Sequence, residues 1–225
     1  MARAGNGLSF QGETDDGTLV RARGAACRPS WSRALESVFM ETLLTSTGVV
    51  AIAEIGDKTQ LLAIVLAARF RKPIPIILGI FAATILNHAA AAAAGFWVSQ
   101  FLQGQAFRIA VGVGFVVMAA WALIPDKEDE TGPRNAGGVF MTTLVSFFLI
   151  EIGDKTQIAT SLLAARFHDI ATVTLGTTIG MMIANVPAVL FGEAVTKVVP
   201  LNFVRIAAAA LFAVIGVWIV VTALI

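Results

Sequence analysis

Cysteine is nearly absent from this chain. Cys27 is the only one in 225 residues, and it lies in a polar stretch. One thiol makes neither an internal disulfide nor a thiolate metal cluster, which excludes thiol redox chemistry and cysteine–zinc sites. The two histidines, His88 and His168, have no metal-ligand spacing between them. Charge is scarce too. Charged residues make up 14% of the chain, with a net charge of +1, against about 25% in a soluble domain. So even a balance offers no argument for nucleic acid or an acidic partner. There is no nucleophile–base pair, no phosphate loop and no cofactor motif. The chain reads as a non-enzyme that needs no cofactor.

What is present is apolar. Hydrophobic residues form 57% of the chain, mean hydropathy is +0.81, and the excess falls in long runs. That is the pattern of an all-α polytopic membrane protein. Residues 1–35 differ: they are rich in Gly, Arg and Ser, contain Glu13, Asp15 and Asp16, and show no apolar period. They lack the apolar core of a signal peptide, and their acids argue against a transit peptide. Two readings stand: a disordered tail, or a stretch translated from an upstream start codon, with the natural start at Met40. Six apolar spans follow, at about Val38–Ala68, Ile74–Phe101, Phe107–Ile124, Val139–Ala165, Ile170–Val195 and Asn202–Ile225. Between the third and fourth lies a charged linker, residues 125–138, with prolines at Pro125 and Pro133. Glu193, late in the fifth span, reads as interfacial.

The run Glu54-Ile55-Gly56-Asp57-Lys58-Thr59-Gln60 recurs as Glu151-Ile152-Gly153-Asp154-Lys155-Thr156-Gln157, 97 residues later. Twelve of the seventeen positions in 54–70 match 151–167, and the same offset pairs Leu78-Gly79 with Leu175-Gly176, Arg108-Ile109-Ala110 with Arg205-Ile206-Ala207, and Trp121 with Trp218. The chain therefore reads as two three-helix repeats, 38–124 and 139–225. Three spans are an odd number, so the second copy enters the membrane from the opposite side. The expectation is six transmembrane helices in two inverted repeats, the plan of many secondary transporters. Arg69, Arg71, Lys72, Lys127, Arg134, Lys197 and Arg205 fall on one side of such a layout, and Arg108 and Arg166 on the other. That bias puts the linker in the cytoplasm and the termini of the core outside.

On a straight helix Glu54 and Asp57 lie about 60° apart, with Lys58 beside them; Thr59 and Gln60 point elsewhere. Gly56 and Gly153 leave room for close helix contact or for a local break. Each charge at the centre of a membrane helix costs about 2.5–3.5 kcal/mol, so six uncompensated ones cost about 15–20 kcal/mol. They must face one another or a cavity. Four carboxylates and two ammonium groups leave a formal charge of −2, which a divalent cation neutralises. Carboxylate, amide and hydroxyl oxygens suit calcium, magnesium or manganese. Carboxylates also take up protons, so a site that releases a cation and gains protons is an exchanger. The competing structural reading is a set of inter-repeat ion pairs; a mixed reading leaves Lys58 and Lys155 paired with acids while other acids hold the ion. Asn87 and His88 align with Ala184 and Asn185. Each second helix thus carries an amide near mid-span, for an interhelical hydrogen bond or a place on the substrate path.

A duplicated Glu-x-Gly-Asp-Lys/Arg-Thr/Ser motif in a six-span core resembles the Gdt family, which includes Golgi manganese and calcium transporters and bacterial manganese exporters. The resemblance covers about Met40 to Ile225, and both motifs are complete. It implies exchange of Mn²⁺ or Ca²⁺ for protons, with the cation leaving the cytoplasm and bound by Glu54, Asp57, Glu151 and Asp154. Lys58, Thr59, Lys155 and Thr156 complete the motifs. Gln60, Gln157, Asn87 and Asn185 are secondary candidates. The short linker resembles bacterial members, which implies the plasma membrane. Partners on this reading are a divalent ion and the lipid bilayer, with a homo-oligomer left open. The alternatives are a passive divalent-cation channel and an exporter of another small solute. For an exporter of amino acids, four acids are the wrong charge to meet a carboxylate.

Overall fold

The computed structural model describes residues 30–124, 137–192 and 201–225. Residues 1–29 of the expected tail, residues 125–136 of the linker, and Glu193 lie outside the described residues. The chain divides into two units, Met1–Glu36 and Ser37–Ile225, and the second holds both copies of the motif. All regular structure among the described residues is helical. In order, the helices are α1 (Ser30–Glu54), α2 (Lys58–Phe70), α3 (Pro73–Phe101), α4 (Gln105–Ala122), α5 (Val139–Glu151), α6 (Lys155–Phe167), α7 (Ile170–Phe191) and α8 (Leu201–Leu224).

Five of these hold stretches long and apolar enough to cross a membrane: Leu35–Glu54, Pro73–Phe101, Gln105–Ala122, Ile170–Phe191 and Phe203–Leu224. Large apolar side chains cover the outside, among them Leu44, Ile74, Val117, Phe191 and Phe203. The inside holds Thr42, Ser46, Thr84, Asn87, Thr143 and Thr177, all buried. Apolar outside and polar inside is what a lipid solvent selects, since buried polar groups find partners only within the protein. The chain is a polytopic membrane protein. Its first and fourth expected spans are each two helices rather than one. Both interruptions fall inside the duplicated motif.

The helix ends are set by local chemistry. At the C-termini of α2 and α6, Arg71 and His168 adopt left-handed backbone (φ 51° and 55°) and donate their N–H groups to the carbonyls of Ala67 and Ala164, as C-terminal caps do. Pro73 opens α3, where its missing N–H has no helical partner to lose.

Packing relies on small residues, since lipid supplies no hydrophobic drive between helices. Gly79 on α3 lies against the Phe140 carbonyl and Thr143 of α5; Gly176 on α7 lies against the Leu43 carbonyl and Ser46 of α1. Each of these positions is 97 residues from its counterpart, so one contact is the exchange of the other. The sister helices α4 and α8 meet at Gly112 and Gly216, each against the other's carbonyl. Arg108 donates to the Thr222 carbonyl at 2.9 Å, Gly112 faces Val220 and Val116 faces Gly216. Ascending one helix means descending the other, so the two run antiparallel. Phe115 and Phe212 seal this contact, ring centres 6.3 Å apart. A second apolar cluster, with Leu66, Ile76, Ile80 and Phe147, joins α2, α3 and α5.

Gly95 on α3 is the closest approach. A Cβ there would fall on the Ser161 carbonyl of α6 and lie 2.7 Å from its carbon. Gly48 on α1 has open space. Gly95→Ala is expected to destabilise the protein by about 1–3 kcal/mol, whereas Gly48→Ala leaves it unchanged or slightly more stable. Thermal unfolding of the two variants in detergent separates these outcomes.

Candidate metal centre

Each motif breaks its helix by the same device. α1 stops at Glu54 and α5 at Glu151. Gly56 and Gly153 then take positive φ, 81° and 79°, a conformation that costs an ordinary L-residue about 1–2 kcal/mol. Asp57 and Asp154 return to extended backbone and cap the next helix. An Asp57 carboxylate oxygen accepts from Lys58 N at 2.7 Å. Asp154 Oδ2 accepts from Thr156 N at 3.2 Å and from Thr156 Oγ1 at 3.1 Å. Three residues after each aspartate a glutamine reaches back: Gly56 N donates to Gln60 Oε1 at 3.0 Å, and Gly153 N to Gln157 Oε1 at 2.7 Å. Asp followed three residues later by Gln is a capping-box arrangement, with the return bond moved one residue upstream.

The straight-helix placement of the motif is therefore corrected. Glu54 ends one helix, and Asp57 with Lys58 begins another. The reason lies in the same residues: glycine admits the left-handed turn, and an aspartate behind it holds free helix N–H groups. Gln60 and Gln157, assigned to another face of a straight helix, belong to the break. Gln60 also ties it to α7, its Nε2 donating to the Ala184 carbonyl at 3.0 Å.

The two breaks meet. One carboxylate oxygen each from Glu54, Asp57 and Asp154 lies within 4.8 Å of the others, and all three residues are buried. The group draws on both motifs. Glu151 is also fully buried and within electrostatic reach of Glu54, Asp57 and Asp154, but it stands outside the close group. Neither oxygen of Glu54 or Glu151 accepts a hydrogen bond among the described residues. Asn185 lies against Glu54 and Thr156 against Glu151. Lys58 Nζ sits 3.1 Å from Asp154 Oδ1, an ion pair joining the motifs. Its sister Lys155 donates to the Ile124 carbonyl at the end of α4, at 2.9 Å. Thr59 is buried, with its hydroxyl unpartnered among the described residues.

The mid-span amides also diverge. Asn87 Nδ2 donates to the Phe148 carbonyl of α5 at 3.1 Å, an interhelical bond. Asn185 Nδ2 turns back to the Met181 carbonyl and sulfur, at 3.2 and 3.0 Å, and leaves its oxygen without a donor among the described residues. His88, next to Asn87, is fully buried with both ring nitrogens unpartnered among the described residues. Sequence reasoning passed over Arg205, counting it only as a loop charge. It lines a narrow cleft with Gly56, Asp57, Lys155 and Phe212. Its offset from Arg108 was the available signal.

Three convergent carboxylates and a nearby amide, all oxygen donors in a dry interior, make a ligand set for a hard divalent ion. If the Lys58–Asp154 pair joins the motifs in solution, Lys58→Met and Asp154→Asn will each lower stability, and together they will cost less than their sum. A double-mutant cycle read by thermal unfolding should show a coupling of about 0.5–3 kcal/mol; additive losses would mean that the pair does not form.

The GDT1 family, described as "Divalent cation/proton antiporter GDT1", matches residues 42–130 and again 139–225. A Vibrio cholerae protein described as "Putative manganese exporter" is 49% identical over 174 residues, covering 77% of this chain and 87% of that protein. No solved structure matches the chain. With both halves matched, the chain belongs to the GDT1 family of divalent cation/proton antiporters.

Proposed function

We propose that this chain exports a divalent cation, Mn²⁺ or Ca²⁺, from the cytoplasm in exchange for protons, and that Glu54, Asp57, Asp154 and Glu151 carry both. One observation supports the reading above the rest. Carboxylates from two motifs 97 residues apart converge within 4.8 Å, and Glu54 there has no hydrogen-bond donor among the described residues. Buried carboxylates so close repel one another unless a cation or protons balance them. A site that holds one or the other, and not both, couples their movements.

The scaffold we infer is a six-span inverted repeat in the plasma membrane, with each motif interrupting one span. At about 1.5 Å per residue, α5 and α6 at 13 residues each reach about 20 Å, too short for a hydrocarbon core of about 30 Å. End to end they suffice. Two observations support the inversion: the sister helices α4 and α8 run antiparallel, and the Gly79 contact is exchanged with that of Gly176. Broken helices at a repeat interface are a common way for transporters to build ion sites.

Alternating access requires identical halves to adopt different states. Glu54, Asp57 and Asp154 gather within 4.8 Å, while Glu151 stands apart from the close group. The cleft that reaches Asp57 lies where α4 ends and α8 begins, lined by Ala122 and Val204. That is the linker side, to which the Lys and Arg bias assigns the cytoplasm. These features support a site facing inward, open to its cargo. A passive channel has no need of such asymmetry.

In proteoliposomes loaded with a pH-sensitive dye, Mn²⁺ movement is expected to drive proton movement the other way, and an imposed pH gradient to drive Mn²⁺ uphill. Mn²⁺ flux indifferent to the gradient would leave a channel instead. Glu54→Gln, Asp57→Asn and Glu151→Gln should each reduce exchange by roughly tenfold or more, since even outer-sphere changes at metal sites cost that much. Full activity in both glutamate variants would remove the motifs from the mechanism.

A further inference from the structure

His88 is a buried polar group to which neither the ion site nor the helix packing gives a partner. It is 0% exposed, and neither ring nitrogen has a partner among the described residues. A buried imidazole normally spends at least one nitrogen on a hydrogen bond, because an unpartnered polar group in a dry interior is costly. An orphaned nitrogen of this kind points to a ligand.

Its place in the fold says which ligand. His88 is 97 residues before Asn185, the side chain that lies against Glu54. The packing that puts α7 against α1 is repeated, in exchange, by α3 against α5. The same exchange sets His88 in the place, on the Glu151 half, that Asn185 holds on the Glu54 half. Independent contacts agree. Asn87 holds the Phe148 carbonyl, three residues before Glu151, and Ser161 on α6 donates to the Ala91 carbonyl at 2.9 Å. Those two bonds bracket the stretch of α3 that passes the second break, and His88 lies between them. On a helical net His88 shares the stripe of Ala91 and Gly95, whose backbone or Cα meets Ser161 of α6.

We propose that His88 is a nitrogen ligand for the transported cation in the Glu151 half of the site, and that it makes the site prefer Mn²⁺ to Ca²⁺. The two halves then differ in chemistry as well as conformation. Glu54 with Asn185 offers oxygen alone, and Glu151 with His88 offers oxygen and imidazole nitrogen. Calcium takes oxygen ligands almost without exception, whereas imidazole binds first-row transition ions. One nitrogen in an otherwise oxygen site penalises Ca²⁺ while Mn²⁺ accepts it. The inference rests on the cation-carrying role proposed for the motif acids.

Pulsed electron paramagnetic resonance of Mn²⁺ bound to the full chain in detergent tests this without transport. The expected spectrum shows modulation from a directly bonded ¹⁴N, lost in His88→Asn and kept in His168→Asn, the only other histidine. Histidine-selective ¹⁵N labelling of the wild type should convert the pattern to that of ¹⁵N, a result independent of how any variant folds. In competition titrations His88→Asn, which copies the residue of the sister half, should lower the preference for Mn²⁺ over Ca²⁺ on the order of tenfold. Mn²⁺ bound tightly with no bonded nitrogen would overturn the His88 assignment and leave the motif acids in place. Equal loss of Mn²⁺ and Ca²⁺ affinity in His88→Asn would overturn it too, as a purely structural effect. Mn²⁺ affinity unchanged by Glu54→Gln and Glu151→Gln would sink the proposed function and this inference with it.

Discussion

Four carboxylates in an apolar bundle are the constraint on which the rest depends. In water they would repel weakly and hydrate. Inside a membrane protein each must find a counter-charge, a donor or a proton. Asp57 and Asp154 meet the requirement locally, as caps on helix N-termini where free N–H groups and the helix dipole favour an anion. Glu54 and Glu151 end their helices instead, where carbonyls rather than N–H groups are free. They are left buried and without hydrogen bonds among the described residues. Each motif thus supplies one satisfied acid and one unsatisfied acid. On the proposed function, the unsatisfied pair is what a cation or protons would balance.

The broken helix is a consequence of this constraint. A continuous helix has its N–H groups committed and offers none to an aspartate at its centre. Breaking it at glycine frees a set of N–H groups at the depth where the acids sit, and the glutamine three residues after the aspartate covers one that the turn exposes. The irregular backbone is tolerated because α7 closes over the first break, through Gln60 and Ala184, and α3 passes the second. Glycine at Gly79, Gly95 and Gly176 lets those helices come close enough. The glycines of the second helices and the acids of the first are parts of one arrangement.

Much of this was legible in the residues. The offset of 97 located both copies of the motif, and an excess of two acids pointed to a divalent ion. Helix ends were legible where strong local chemistry marks them, as at Pro73. The glycines hinted at a break, but a 3.6-residue period laid across the motif put Asp57 and Gln60 on the wrong footing. A single residue at positive φ resets the period, and hydropathy is blind to it. Arg205 was hidden because a charge near a span end looks the same whether it faces water or a cleft. His88 was hidden because its neighbour Asn87 explained the polarity of the helix.

By itself the sequence determined the class of protein, the two copies, the acids and the caps, since each of these depends on residue type and short-range spacing. Only the tertiary structure decided which acids converge. Identical heptapeptides carry identical local preferences, so nothing local distinguishes Glu54, inside the close group, from Glu151, outside it. The difference arises from the third dimension: two inequivalent environments around one motif, set by helices whose sequences have diverged, as at Asn185 and His88.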